Sequence, residues 1–235
     1  MINEKKCLGI IPARSGNKRL HRKNIRLLAG KPLIQWTIEA GLESNAIDDL
    51  IISTDDTQIA EIAKSCGGNV PFIRPKNLST DSSSSYEVLT HAYETLKKQG
   101  KDYSYIVMLQ PTSPLRMSYH IDMAADFLEK KRADGVISVN QLNHPFEWTN
   151  TLPQSSEMLN FFEEIDVSQP SQKFLTRYTL NGAIYITDIT RMKKEKSHIY
   201  GQSMYAFIMN DKDSIDIDTK YDFEIAEYLM TKKMK

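Results

Sequence analysis

Short runs that are apolar almost throughout alternate along this chain with stretches in which apolar residues return every three or four positions. The runs are CLGIIPA (7–13), DLIISTD (49–55), YSYIVMLQP (103–111), GVISV (135–139), GAIYIT (182–187) and MYAFIMN (204–210). Rich in Ile and Val and lacking polar alternation, they read as strands covered on both faces. Helical periodicity occupies about 32–45, 57–66, 84–99, 118–131 and 219–233. In the last of these, Phe223, Ala226, Leu229 and Met230 share one face. Strand and helix in alternation predict a layered α/β fold around a mostly parallel sheet. Ligands in such sheets sit beyond the carboxyl ends of the strands, here residues 13–24, 53–57 and 110–116.

Residues 140–180 break this rhythm. They carry Pro, Asn and Gln with several aromatics and no sustained period. A connection that long inside one domain usually has work of its own. Trp148, Phe161 and Phe162 are apolar enough to want a partner surface, which suggests a dimerising arm. At the helix starts, Asp55 followed by Gln58 resembles a capping box, which leaves Asp55 outside the candidate site. Ser82 to Ser85 can cap the next helix or line a ligand.

Charge changes the picture locally. Lys+Arg and Asp+Glu balance at 30 each, so the chain has no net charge and does not look like a polyanion-coating protein. Yet no acidic residue occurs between Glu4 and Glu39, while nine basic ones do, from Lys5 to Lys31. A loop leaving a strand, with Ser15, Gly16 and Asn17, can bring backbone N–H groups close to an anion. Lys and Arg around it neutralise a triphosphate. Neither the Walker nor the Rossmann glycine pattern is present. No apolar run nears the ~20 residues of a membrane helix, MINEKK leads into no cleavage-site pattern, and Cys7 and Cys66 suggest neither disulfides nor zinc. A cytoplasmic protein without membrane or nucleic-acid partner is expected.

Four further stretches carry chemistry. MLQPTSPLR (108–116) ends a strand at Gln110 and holds a proline-rigid turn bearing Arg116. RPKNLSTDSSSS (74–85) joins Arg74 to a hydroxyl cluster. LNGAIYI (180–186) sets Asn181 and Gly182 at a strand entrance. SIDIDTKYDF (214–223) places Asp216 and Asp218 two apart, on one side of an expected strand.

Together these stretches, in order and from about residue 7 to the C-terminus, resemble the acylneuraminate cytidylyltransferases, or CMP-sialic acid synthetases. The resemblance implies a three-layer, Rossmann-like nucleotidyltransferase fold, a single domain over 1–235 with a dimerisation arm inserted at about 140–180, and a homodimer. It implies that CTP and a nine-carbon 2-keto-3-deoxy sugar acid, with Mg²⁺ (or Mn²⁺), give a CMP-sugar and pyrophosphate. It assigns Arg14, Lys18, Lys23 and Asn24 to the triphosphate, and Arg74, Ser83 and Ser85 to cytosine and ribose. Gln110, Arg116, Tyr178, Asn181 and Gly182 fall on the sugar side, and Asp216 and Asp218 on the metal. Lys23, Arg14 and Asp218 are the catalytic set, with Asp218 the candidate base. One departure stands out. The family's Arg-Gln pair and following Pro are Ser171, Gln172 and Leu175 here, so Lys173 or Arg177 would have to replace the arginine. Relatives acting on legionaminic or pseudaminic acid share these motifs. The rivals are a cytidylyltransferase for an eight-carbon sugar acid and a non-catalytic nucleotide- or RNA-binding protein.

Overall fold

The computed structural model describes residues 2–16, 19–159, 161 and 170–233. Lys18 and Phe162 lie outside the described residues. In chain order the elements are β1 (Cys7–Pro12), β2 (Leu27–Leu28), β3 (Lys31–Pro32), α1 (Leu33–Leu42), β4 (Asp49–Ser53), α2 (Thr57–Ser65) and α3 (Ser85–Lys98). They continue with β5 (Tyr105–Met108), α4 (Ser118–Lys131), β6 (Gly135–Gln141), β7 (Tyr178–Asp188), α5 (Ile189–Glu195), β8 (Met204–Ile208) and α6 (Lys220–Lys233).

One six-stranded sheet runs in the order β4-β1-β5-β7-β6-β8. Every neighbouring pair is parallel except those made by β7, which opposes both β5 and β6. The apolar strands are covered on both faces, as expected of a mostly parallel sheet. Cys7, Ile11, Ile52 and Val107 pack with α1, α2 and α4. Leu8, Ile10, Ile51, Ile106 and Met108 pack with α3 and α5 on the other face. Adjacent Ile10 and Ile11 thus serve opposite layers, the period-2 consequence of a strand. A third apolar cluster joins Leu20, Leu28 and Leu33 to Ile217, Phe223, Ala226 and Met230, so α6 fastens the residues just before it to the basic N-terminal segment. No described helix is long and apolar enough to cross a membrane.

Three expectations need correction. Residues 214–218 form no strand: Ile217 is buried and Ile215 half-buried, but the backbone bond from Ile217 N–H to the Thr112 carbonyl is not extended into a ladder. The strand expected to open at Gly182 opens at Tyr178 instead, opposite Gln141 of β6, so the inserted segment lies between those two residues. Helix α2 is capped by Asp56, whose Oδ1 accepts from the N–H groups of Gln58 and Ile59 at 2.8 and 3.0 Å, and not by Asp55. The two carboxylates are sequence neighbours, and only the geometry of the turn decides which one reaches the helix. Helix α5 and the β2–β3 hairpin were not expected from periodicity, being too short to show a period.

Three histidines bear on stability. Burial holds the imidazoles of His91, His120 and His198 below their usual range, His198 at about 4. The unfolded chain takes up these protons near pH ~6.5, where the folded chain resists them. Stability therefore declines as pH falls from about 6.5 towards 4. The urea midpoint is expected to drop between pH 7.5 and 5, and to drop less steeply in His198→Gln. Parallel profiles for the two proteins would show that His198 contributes nothing to the slope.

Candidate active site

A cleft of about 400 Å³ opens where β1 and β5 end. It is lined by Arg14, Lys23, Asn24, Arg74, Ser83, Ser85, Gln110, Asp216 and Asp218, all named from sequence, together with Pro12, Thr80, Asp81 and Thr112 among others. Each reaches the cleft for a local reason.

After β1, Ala13 still bonds to β4 through the Ser53 carbonyl, and the chain then turns outward. Asn24 is buried and its Nδ2 donates to the Arg14 carbonyl at 3.0 Å, closing the basic loop on itself. Arg14 Nη1 donates to Asp81 Oδ1 across the cleft at 2.7 Å. Lys23 is only 6% exposed, and its ammonium donates to the Ile217 carbonyl at 2.5 Å and to Asp218 Oδ1 at 3.2 Å. Those bonds tie the basic loop to the acidic segment almost two hundred residues later.

On the opposite wall, Arg74 is buried to 3% exposure and its Nε donates to Ser79 Oγ at 3.0 Å. Burial lowers its pKa; Asp55 opposes that shift and Arg14 adds to it. The serine cluster divides its work. Ser84 caps α3, accepting from the Glu87 N–H while its own N–H donates to Glu87 Oε2 at 2.9 Å. Ser83 and Ser85 line the cleft.

The acidic segment is set by its ends. Ile217 N–H donates to the Thr112 carbonyl at 2.8 Å, and Asp222 Oδ2 accepts from the N–H groups of Asp218 and Thr219 at 3.1 and 2.8 Å. Asp216 lines the cleft and is exposed there. Desolvation by the surrounding protein shifts its carboxyl above the usual range; a hydrogen bond from Thr112 opposes the shift and the charge of Asp218 adds to it. Among the described residues no group of three or more His, Cys, Asp or Glu could hold a metal ion. Two carboxylates that repel each other suit Mg²⁺, which takes its remaining ligands from phosphate and water.

The remaining expected residues behave differently. Gly182 (φ +72°) faces the site, and a Cβ there would lie 2.6 Å from Gln110 Oε1 and 3.3 Å from Asp216 Oδ2. Only a glycine admits this approach. Arg116 does not reach the cleft. It is 1% exposed, with Nη2 donating to Thr37 Oγ1 at 2.8 Å and Nε to the Ala183 carbonyl at 3.3 Å. Burial pushes its guanidinium down to about 9, still far above neutrality, so it stays charged. Asn181 is buried as well, its Oδ1 accepting from Ser138 Oγ at 2.6 Å and its Nδ2 donating to Ser214 Oγ at 3.0 Å. Both side chains support the site from beneath and do not line it. Tyr178 is exposed at the outer end of β7, away from the cleft-lining set.

One residue was missed. Asp55 Oδ1 accepts from the Ser15 N–H at 3.1 Å, Oδ2 accepts from Ser15 Oγ at 2.9 Å, and Arg74 Nη2 lies 3.9 Å away. Its position just past a strand end was the available signal, and the capping assignment obscured it. Because Asp55 already takes the Ser15 N–H, the loop offers an anion fewer free backbone donors than the sequence suggested.

The arrangement is a precharged anion cleft with a paired-carboxylate floor, which suits transfer at a phosphorus centre. Comparison with known proteins agrees. The chain is 39% identical over 231 residues to an N-acylneuraminate cytidylyltransferase of Escherichia coli O18:K1:H7, covering 97% of this chain and 53% of that protein. It therefore spans about half the length of that relative. It is 33% identical to a CMP-N,N'-diacetyllegionaminic acid synthase of Legionella pneumophila, covering 96% of each chain. A pseudaminic acid cytidylyltransferase of Campylobacter jejuni is also 33% identical, covering 95% of this chain and 96% of that one. Among solved structures, a CMP:2-keto-3-deoxy-manno-octonic acid synthetase complexed with CTP shares the fold, with a TM-score of 0.72 at 16% identity over 97% of this chain and 99% of that one. A family model described as cytidylyltransferase matches residues 8–232, and with that match running through every wall of the cleft, the chain belongs to the cytidylyltransferase family.

Proposed function

We propose that this protein is a CTP-dependent cytidylyltransferase that activates a nine-carbon 2-keto-3-deoxy sugar acid, of the N-acetylneuraminate, legionaminate or pseudaminate type, in the cytoplasm. The observation that carries this reading is the convergence of Arg14, Lys23 and Arg74 with Gln110, Asp216 and Asp218 on one cleft. The names of the relatives supply the substrate class.

In this reading the anomeric hydroxyl attacks the α-phosphorus of CTP, and the bond to pyrophosphate breaks. Arg14 and Lys23 meet the triphosphate and offset the charge that gathers on the leaving group. Arg74, Ser83 and Ser85 lie along the base and ribose. Gln110 orients the sugar acid, with Gly182 keeping the space beside it open. Asp218 takes the hydroxyl proton. Asp216 and Asp218 would hold Mg²⁺ (or Mn²⁺), which when bound neutralises phosphate oxygens. Arg116 and Asn181 keep the turn and β7 in place under these groups.

The segment between β6 and β7 supports a homodimer. Leu159 and Leu175 are 88% and 82% exposed, and Phe146, Trp148, Leu152 and Met158 are exposed beside them. So much open apolar surface marks an interaction face. Arg177 is engaged within the arm, bonding to Glu147 and lying 5.3 Å over the Phe146 ring. Lys173 is exposed and makes no ion pair among the described residues, so it is the better replacement for the family arginine.

The direct test is pyrophosphate release with CTP against a panel of sialic, legionaminic, pseudaminic and eight-carbon sugar acids. Turnover with one of the nine-carbon acids is expected; release with none of them would defeat the proposal. Asp216→Asn is expected to lower metal-dependent turnover by orders of magnitude while its thermal midpoint stays level or rises, because desolvation and the neighbouring Asp218 charge both disfavour the ionised carboxylate. Normal turnover in that variant would remove Asp216 from the metal site. By light scattering, the protein is expected at twice the 26.9 kDa chain mass, and removal of residues 146–174 should return it to one chain mass. A monomeric, fully active intact protein would rule out a dimer-dependent site.

A further inference from the structure

Asp55 takes no part in the transfer chemistry outlined above, yet it stands between the loop that follows Arg14 and the Arg74 side chain. Its carboxylate accepts the Ser15 N–H at 3.1 Å and the Ser15 hydroxyl at 2.9 Å. It is also the anionic group 3.9 Å from Arg74 Nη2; the two side chains are 13% and 3% exposed. The Ser15 N–H belongs to the peptide that follows Arg14, and the carbonyl of that same peptide is held by Asn24 Nδ2 at 3.0 Å. One peptide plane is thus gripped from both sides, by Asp55 at its nitrogen and Asn24 at its oxygen. The Arg14 side chain leaves from that fixed plane, while Arg74 comes from the opposite wall.

We propose that Asp55 is a positioning residue for the nucleotide, holding the Arg14 loop and Arg74 at a set separation so that both guanidinium groups meet one bound CTP, Arg14 at the triphosphate and Arg74 beside the base and ribose. This rests on the reading of the cleft as a CTP site. The sign of its effect separates it from simple electrostatics. A carboxylate beside a polyanion repels it, so on charge alone the loss of Asp55 should tighten CTP binding. Positioning demands the reverse: without the carboxylate, the loop and Arg74 lose their common anchor, and the ligand must order them itself. Asp81 supplies the reference, because it removes an equal charge from the same cleft. Its carboxylate occupies Arg14 Nη1 at 2.7 Å, where a phosphate would have to displace it.

CTP is titrated calorimetrically into the full chain and its variants, with no sugar acid present. Asp81→Asn is expected to bind CTP at least as tightly as the unsubstituted chain. Asp55→Asn is expected to bind it about tenfold more weakly, the effect of losing a charge-assisted contact. Ser15→Ala should weaken binding by less, since its N–H remains, and combining it with Asp55→Asn should cost less than the sum of the two single losses, because both weaken one linkage. In steady state the KM for CTP should rise in Asp55→Asn while the KM for the sugar acid holds, a split that general loosening of the fold would not produce. Equal or tighter CTP binding by Asp55→Asn overturns the proposal, as does an additive double variant or a parallel loss in Asp81→Asn. If Asp55→Asn fails to fold, the exposed Ser15→Ala decides alone, and unchanged CTP affinity there overturns the proposal. An unsubstituted chain that binds no CTP sinks the functional reading itself. One that binds CTP equally well with and without Asp55 sinks only this inference.

Discussion

A cation taken out of water has to be met by oxygens, and that requirement organises the carboxyl edge of this sheet. Lys23, Arg74 and Arg116 are all buried. Stripping such a group of water costs several kcal/mol unless its donors are satisfied. Here the oxygens come from distant segments: Ile217 and Asp218 for Lys23, Ser79 and Asp55 for Arg74, and Thr37, Gln110 and Ala183 for the Nε and Nη2 of Arg116, whose buried Nη1 has no hydrogen-bond partner among the described residues. Meeting these demands at once leaves the basic loop, the serine turn, the PTSP turn, β7 and the acidic segment little freedom. Two of the three cations then line the cleft already oriented, so an incoming anion need not order them. Preorganised charge of this kind is the main resource of enzymes that work on phosphates.

The antiparallel β7 is the second constraint. Between the pairs Ile137–Tyr185 and Val139–Leu180, β6 advances two residues while β7 advances five. The slack is taken up around Asn181 and Gly182. Asn181 fills the gap with a polar network reaching Ser138, Ala183 and Ser214. Gly182, with its left-handed backbone, presents bare main chain against Gln110 and Asp216. A regular strand would have put side chains where the cleft floor now lies. The irregularity is thus what makes room for a substrate, and the buried amide stabilises it.

Membership in the cytidylyltransferase family and the geometry of the cleft point the same way for separate reasons. The family match rests on residue identity along the chain, whereas the cleft rests on where side chains of five segments meet. Their agreement matters most at Lys23 and Asp218, which are far apart in sequence and share a bond across the floor of the site.

The sequence by itself determined the layers. Ile- and Val-rich runs without alternation require cover on both faces, and three-to-four spacing requires a helix, because both are consequences of local backbone geometry. It also marked the strand ends at which the cleft lies, and most of the residues that line it. What only the tertiary structure decided were matters of who faces whom. Asp55 and Asp56 are adjacent carboxylates with the same local chemistry, and the turn alone sends one to the helix and the other to Ser15. Ile215 and Ile217 alternate like a strand and turn inward like one, but a strand needs a ladder, and the bond from Ile217 to the Thr112 carbonyl does not extend into one. Arg116 and Asn181 look like ligand-facing polar residues in a motif; their burial follows from α1, β6 and β7 closing over them, which no window of sequence contains. Local patterning records the backbone's own preferences, while the fate of a polar side chain depends on partners brought from elsewhere in the chain.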